Sequence, residues 1–167
     1  MKIINKEESM IWLSSKGLLD SKGSLSFSGF SEPVSYRIPA DSGKKTVLSR
    51  IIASFFDSEA ESLLWINEYG IWPSSEDRPL FEGFRKSLGE SALLIEKPGH
   101  IFSKQDLSAI SSLLAMVLYF CWGAVIAPTN KSLIIRISHD EMLDIYSQDK
   151  KVLPQKIMEK VESVIGE

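Results

Sequence analysis

Apolar residues recur with helical spacing most clearly at Val47, Leu48, Ile51, Ile52, Phe55 and Phe56, a double stripe that predicts a helix starting near Ser42. Asn5 followed by Glu8 has the spacing of a capping box, so a short helix carrying Met10, Ile11, Trp12 and Leu13 should run until Gly17. Ser74 and Asp77 precede Leu80, Phe81, Phe84 and Leu88, with Gly89 placed to end that helix. Ser103 and Asp106 open the longest apolar helix, over residues 103–121. Ser138 and Glu141 repeat the S-x-x-E signature ahead of Met142, Leu143, Ile145 and Tyr146, which predicts another helix with the Ser138 hydroxyl capping the Glu141 N–H. Pro154 suits the first position of a last helix lined by Ile157, Met158, Val161, Val164 and Ile165.

Strand patterns fall between these helices. Leu25 and Phe27 alternate with serines, and Val34, Tyr36 and Ile38 alternate with Ser35 and Arg37, which reads as a hairpin with one wet face. Leu63, Leu64, Trp65 and Ile66 are apolar at every position, so the segment through Tyr69 should be a central strand covered on both faces. Residues 124–127 and 133–137 read as a second hairpin around Pro128, Thr129, Asn130 and Lys131. Two hairpins and a central strand argue for an α+β fold with a mainly antiparallel sheet of about five strands and about five to six helices, rather than a doubly wound sheet. Val47, Ile51, Phe55, Leu114, Val117 and Ile135 are the expected core.

Composition narrows the class. The 167 residues are 44% hydrophobic and 25% charged, as expected for a single globular domain over residues 1–167. The net charge is -3 and no run of like charges stands out, which argues against nucleic acid as partner. One cysteine cannot close an internal disulfide, two histidines give little material for a zinc centre, and no cofactor or metal is expected. No secretory signal pattern opens the sequence, so a cytoplasmic setting is expected. Residues 107–130 carry no charge, a length that can span a bilayer, but Ser108, Ser111, Ser112, Gly123 and Pro128 divide them into a buried helix and a short strand. No membrane span is therefore expected.

Enzymatic motifs mostly fail on spacing. The stretch Pro39-Ala-Asp-Ser-Gly-Lys-Lys-Thr46 lies between a strand and a helix, but the earlier glycine of a phosphate loop would fall on Ile38 and its hydroxyl position on Lys45. No nucleophile elbow occurs, and Cys121 beside Trp122 reads as a buried, inert thiol. His139, Asp140 and Glu141 supply acid/base or metal-ligating groups, yet consecutive residues on a helix point apart. His100 sits with Ile101 and Phe102 in what reads as a loop after Lys97-Pro-Gly99. Four tryptophans offer anchors: if Trp65 and Tyr69 share a strand face, Tyr69 and Trp72 can form part of a partner surface.

The segments Leu-Trp-Ile-Asn-Glu-Tyr-Gly-Ile-Trp-Pro-Ser at 64–74, Pro-Gly-His-Ile-Phe at 98–102 and Ile-Ser-His-Asp-Glu at 137–141 resemble a group of small bacterial proteins of unknown function. The resemblance implies a bacterial cytosolic setting and carries no activity with it. The reading that follows is a noncatalytic protein-interaction module, adaptor or immunity-like, with Tyr69, Trp72, His100 and Phe102 as binding residues. Its partner is expected to be another protein, and self-association is open. The alternative is a small hydrolase or metal-dependent enzyme using His100 or His139 with Asp140 or Glu141. An enzyme should bring one of these histidines to within about 4 Å of a carboxylate in a concave pocket.

Overall fold

The computed structural model describes residues 1–70, 77–130, 132–148 and 153–165. Its core is one antiparallel sheet of seven strands in the order β1 (Lys2–Ile4), β4 (Gly99–Phe102), β3 (Ser62–Glu68), β5 (Gly123–Pro128), β6 (Leu133–Ile137), β7 (Met142–Ser147), β2 (Val34–Arg37). The helices are α1 (Lys6–Ser15), α2 (Ser42–Ser54), α3 (Asp77–Ser87), α4 (Leu107–Tyr119) and α5 (Leu153–Ile165). The architecture is α+β, with more strands than the hydrophobic pattern predicts.

Alternation along the inner strands sends side chains into two separate apolar layers. Leu64, Ile66, Ala124, Ile126, Ile135 and Ile137 join α2, α4 and α5 on one face. Leu63, Trp65, Val125, Ala127 and Ile134 meet Leu13 of α1 and Leu18 on the other. β3 is thus buried on both sides, as its unbroken apolar run predicts. Gly99 makes the second layer possible, because a Cβ there would collide with Ser9 and Ile4 where α1 and β1 cross β4. Helix α1 begins with the predicted capping box, Asn5 Oδ1 accepting from the Glu8 N–H at 2.8 Å and Glu8 accepting from the Asn5 N–H at 2.9 Å.

Three expectations are corrected. Residues 25–27 do not pair with β2: Leu25 makes only an isolated bridge to Leu19, and β2 instead joins β7 at the sheet edge. The first predicted hairpin therefore does not exist, and residues 18–30 lie as a loop whose Leu19, Leu25, Phe27 and Phe30 cover the second apolar layer. Residues 142–147 form a strand, not a helix. Their burial alternates strictly, and Ser138-His139-Asp140-Glu141 is the tight turn joining β6 to β7. The Glu141 N–H donates to the Ser138 carbonyl at 3.1 Å, while the Ser138 hydroxyl accepts from the Asp140 N–H at 3.1 Å instead of from Glu141. A turn residue and a capping residue use the same short hydroxyl chemistry, which is why the two signatures coincide. Finally, two strands escape the periodicity: β1 is three residues long, and β4 occupies the segment predicted to be a loop.

The α2 stripe is real, but its buried edge is displaced by one residue. Leu48, Ile52 and Phe56 are fully buried, Ile51 and Phe55 are half-buried, and Val47 is exposed, so Val47 leaves the expected core. Leu114, Val117 and Ile135 are buried as expected. No helix among the described residues is long and apolar enough to cross a membrane. Urea denaturation should show Phe56→Ala losing about 3 to 5 kcal/mol, and Val47→Ala losing no more than about 0.5 kcal/mol. Equal losses would contradict this placement of the core edge.

Candidate functional site

Several chain segments end together at one end of the sheet: the last residue of β3, the first of β5, the β6–β7 turn, the first turn of α2 and the end of α4. They carry Glu68, Cys121, His139, Asp140, Glu141 and Lys45. His139 Nδ1 lies 2.8 Å from Glu68 Oε2, and His139 Nε2 lies 3.5 Å from Asp140 Oδ1. Glu141 Oε1 accepts from the Cys121 thiol at 3.6 Å and lies 3.6 Å from the buried Lys45 ammonium. Cys121, His139, Asp140 and Glu141 are among the residues lining a cavity of about 360 Å³.

Backbone geometry marks the same place. Cys121 (φ 50°) and Glu141 (φ 60°) are the two non-glycine residues with left-handed backbone among the described residues, and they touch each other. Glu141 holds this conformation as the last residue of a three-residue hairpin loop, a position usually given to glycine. Cys121 holds it where α4 turns into β5. Such conformations persist when the surrounding contacts over-determine them, and they concentrate at functional sites. Glu68 is fixed by a close approach: it sits opposite Gly123 in the sheet, and a Cβ on residue 123 would run into its carboxylate.

These environments set the protonation states. The hydrogen bond to Glu68 is the largest influence holding His139 above its ordinary pKa, with the charges of Asp140 and Glu68 adding to it against desolvation and Arg136. Burial is the largest influence raising the Cys121 thiol, reinforced by Glu141 and Asp77 and opposed by Lys45. The thiol is therefore held protonated near neutral pH, unlike an activated nucleophile.

The binding residues expected from sequence are dispersed. Tyr69 does reach this end of the sheet, half-buried, with its ring 6.0 Å from that of Trp122 and Arg78 5.7 Å above it. It does not share a face with Trp65, because a β-bulge between Ile66 and Glu68 reverses the alternation: Trp65 belongs to the layer under α1 and Tyr69 packs toward the other. Trp72, Ser74 and Ser75 lie outside the described residues. His100 and Phe102 are corrected: both are buried on β4, where pairing to β1 and β3 on either side puts them inside the sheet. Fully buried, His100 offers no surface contact to a partner. Burial is also the largest influence on its acidity, with Arg85 second, and together they push its pKa down to about 3.

Of the predicted chemical group, His139 and Asp140 do come within 3.5 Å, but on a turn and not on a helix. The convergence of Glu68 and Lys45 on this turn is not visible in the sequence, because they arrive from segments far away in the chain. Cys121 is half-buried and engaged with Glu141 where full burial was expected, while its raised pKa agrees with the expected unreactive thiol. Among the described residues, no three His, Cys, Asp or Glu side chains are grouped to hold a metal ion. A larger cavity of about 410 Å³ between α2 and α4 is lined by Arg50, Ser54, Ser108 and Ser112, but Ser54 and Ser112 donate to carbonyls of their own helices. It has no comparable convergence of charges. No family model, curated protein or solved structure matches the chain.

The two histidines should separate cleanly in an NMR titration. His139 should titrate above 6.5 and fall back toward that ordinary value in Glu68→Gln and in Gly123→Ala, which displaces the carboxylate. Because its folded pKa is raised, the stabilisation from this contact is complete below the unfolded value and disappears as pH rises through the folded one. An unshifted His139 would show that the contact with Glu68 is not made in solution. His100 works in the opposite sense. Its depressed pKa means the unfolded chain takes up a proton first, so stability should fall between pH 6.5 and about 3, a loss that His100→Phe removes where the ring is accommodated.

Proposed function

We propose that this protein is a noncatalytic protein-interaction module, adaptor or immunity-like, which meets its partner with the sheet end carrying Tyr69, Cys121, His139, Asp140 and Glu141. The observation that carries the reading is the contact between the left-handed residues Cys121 and Glu141 at the rim of the cavity. It presents a rigid turn whose Asp140 side chain is 72% exposed. The cations Lys45, Arg78 and Arg136 surround this end, but Lys45 is buried against Glu141 and the most exposed charge of the turn is Asp140, so the partner surface that complements the tip of the turn is basic. Binding is favoured over catalysis because the thiol is held protonated and Glu141 is engaged with Lys45.

One observation favours a second reading. His139 lies within reach of both Glu68 and Asp140 in a concave site, which is the geometry of acid/base work in a small hydrolase. Activity of that kind should vanish in His139→Ala, while partner binding should respond chiefly to charge.

The test is a comparison of variants with the native-host partner captured on the wild-type chain. Asp140→Lys should weaken that complex while leaving the far-ultraviolet spectrum and melting transition close to wild type; the double variant with Glu141→Lys should weaken it by at least about tenfold and also melt lower, because a second cation then faces the buried Lys45. Val47→Lys, on an exposed helix face away from the turn, should leave binding intact. Retained affinity in the double variant at low salt would overturn the assignment of this surface.

A further inference from the structure

We propose that the β6–β7 turn is a proton-gated docking point: with His139 neutral, Asp140 is released to a basic segment of the partner, and with His139 protonated the ring holds that carboxylate. This gating rests on the reading of the turn as the partner surface and adds its control. The geometry is that of one ring between two carboxylates. Nδ1 lies 2.8 Å from Glu68 Oε2 at the end of β3, and Nε2 lies 3.5 Å from Asp140 Oδ1 on the turn itself. An imidazolium has an N–H on each nitrogen and serves both acceptors, whereas a neutral imidazole has one N–H to give.

The two contacts are unequal. An ionised carboxylate only accepts, so at 2.8 Å the single N–H of the neutral ring stays on Nδ1, toward Glu68. Nε2 then presents a lone pair to Asp140 Oδ1, acceptor against acceptor, and that contact is lost. The Asp140 carboxylate has no other partner among the described residues and is largely in water, so nothing else retains it. The framework around it stays put. Glu68 lies against Gly123, the Asp140 N–H donates to the Ser138 hydroxyl, and the Glu141 N–H donates to the Ser138 carbonyl, none of which involves the ring.

The other charges at this end leave the ring in control. Arg136 of β6 disfavours the imidazolium but is itself 3.6 Å from Asp144 of β7. Glu141 is engaged with Lys45 of α2 and with the Cys121 thiol between α4 and β5. From α3, Asp77 acts on Cys121 and Arg78 lies over the Tyr69 ring. The hydrogen bond to Glu68 holds His139 above its ordinary pKa, so the gate opens on the alkaline side of 6.5. A cation brought to Asp140 also disfavours the imidazolium; by linkage, docking expels a fraction of a proton and tightens as pH rises through the His139 pKa.

An amidated pentalysine peptide, titrated at constant low ionic strength and followed by NMR at the amides of residues 138–141, tests the gate on the full chain. Its affinity for the wild type should rise about three- to fivefold between about pH 5.5 and about pH 8. His139→Gln, neutral throughout, should bind at both pH values as the wild type does at the higher one. In the free wild-type chain the Asp140 carboxyl carbon should shift in step with the His139 ring, a readout that needs no probe. Equal wild-type affinity at both pH values, a pH dependence that survives in His139→Gln, or an Asp140 carbon indifferent to the ring overturns the gate. If affinity is flat while Asp140→Lys still abolishes binding, the gate fails and the partner surface stands. If Asp140→Lys leaves peptide binding unchanged, the surface itself fails and the gate with it.

Discussion

Burial of β3 on both faces is the constraint from which the rest of the structure follows. A strand that is apolar at every position cannot leave either side of the sheet in water, so one layer of helices is insufficient. The chain meets this with two covers of different kinds. α2, α4 and α5 supply the thick one, and α1 with the loop over residues 18–30 supplies the thin one. The thin cover fits because β4 carries glycine where α1 crosses, and because β1, only three residues long, brings Ile4 onto the same layer. β3 also fixes where function can sit. Its neighbours β4 and β5 are both antiparallel to it, so the far end of β3 collects the start of β5 and, through β6, the tight turn with His139.

What was legible in the sequence was whatever a local pattern determines. The Asn5–Glu8 capping box, the α2 stripe, the β5–β6 hairpin and the doubly apolar β3 each depend on contacts between residues near in sequence or on a burial state visible in composition. The failures share the opposite property. β4 is a strand because β1 and β3 flank it, and nothing in Gly99-His100-Ile101-Phe102 distinguishes that from a loop. Residues 138–147 show the sharper case. Ser138 and Glu141 match a helix start, but Leu143, Ile145 and Ser147 alternate with half-exposed neighbours, and the period of two prevails over the capping motif.

The candidate site was legible in the same partial way. His139, Asp140 and Glu141 stood out as adjacent titratable residues, and their adjacency on a tight turn does what adjacency on a helix could not: it lets one side chain reach toward β3 and another toward α4 and α2. Cys121 was read only as a thiol and Lys45 only in a failed phosphate loop; their convergence with Glu68 on this turn is set by the sheet register and by where α2 begins and α4 ends. Gly123 was the nearest thing to a clue. It interrupts an otherwise apolar run, and the structure gives its reason as the carboxylate of Glu68 lying against it.

The turn on one hand and the buried Arg85 and His100 on the other separate two uses of charge in one small fold. At the turn, the His139–Glu68 contact at 2.8 Å is partly open to water and so individually weak, whereas Glu141 at 3.6 Å faces a buried Lys45. On α3 and β4, Arg85 and His100 are fully buried, and under low dielectric a charge has a large energetic consequence. Polar groups at the sheet's end therefore stay partly open to solvent, and those on β4 and α3 act on the stability of the framework.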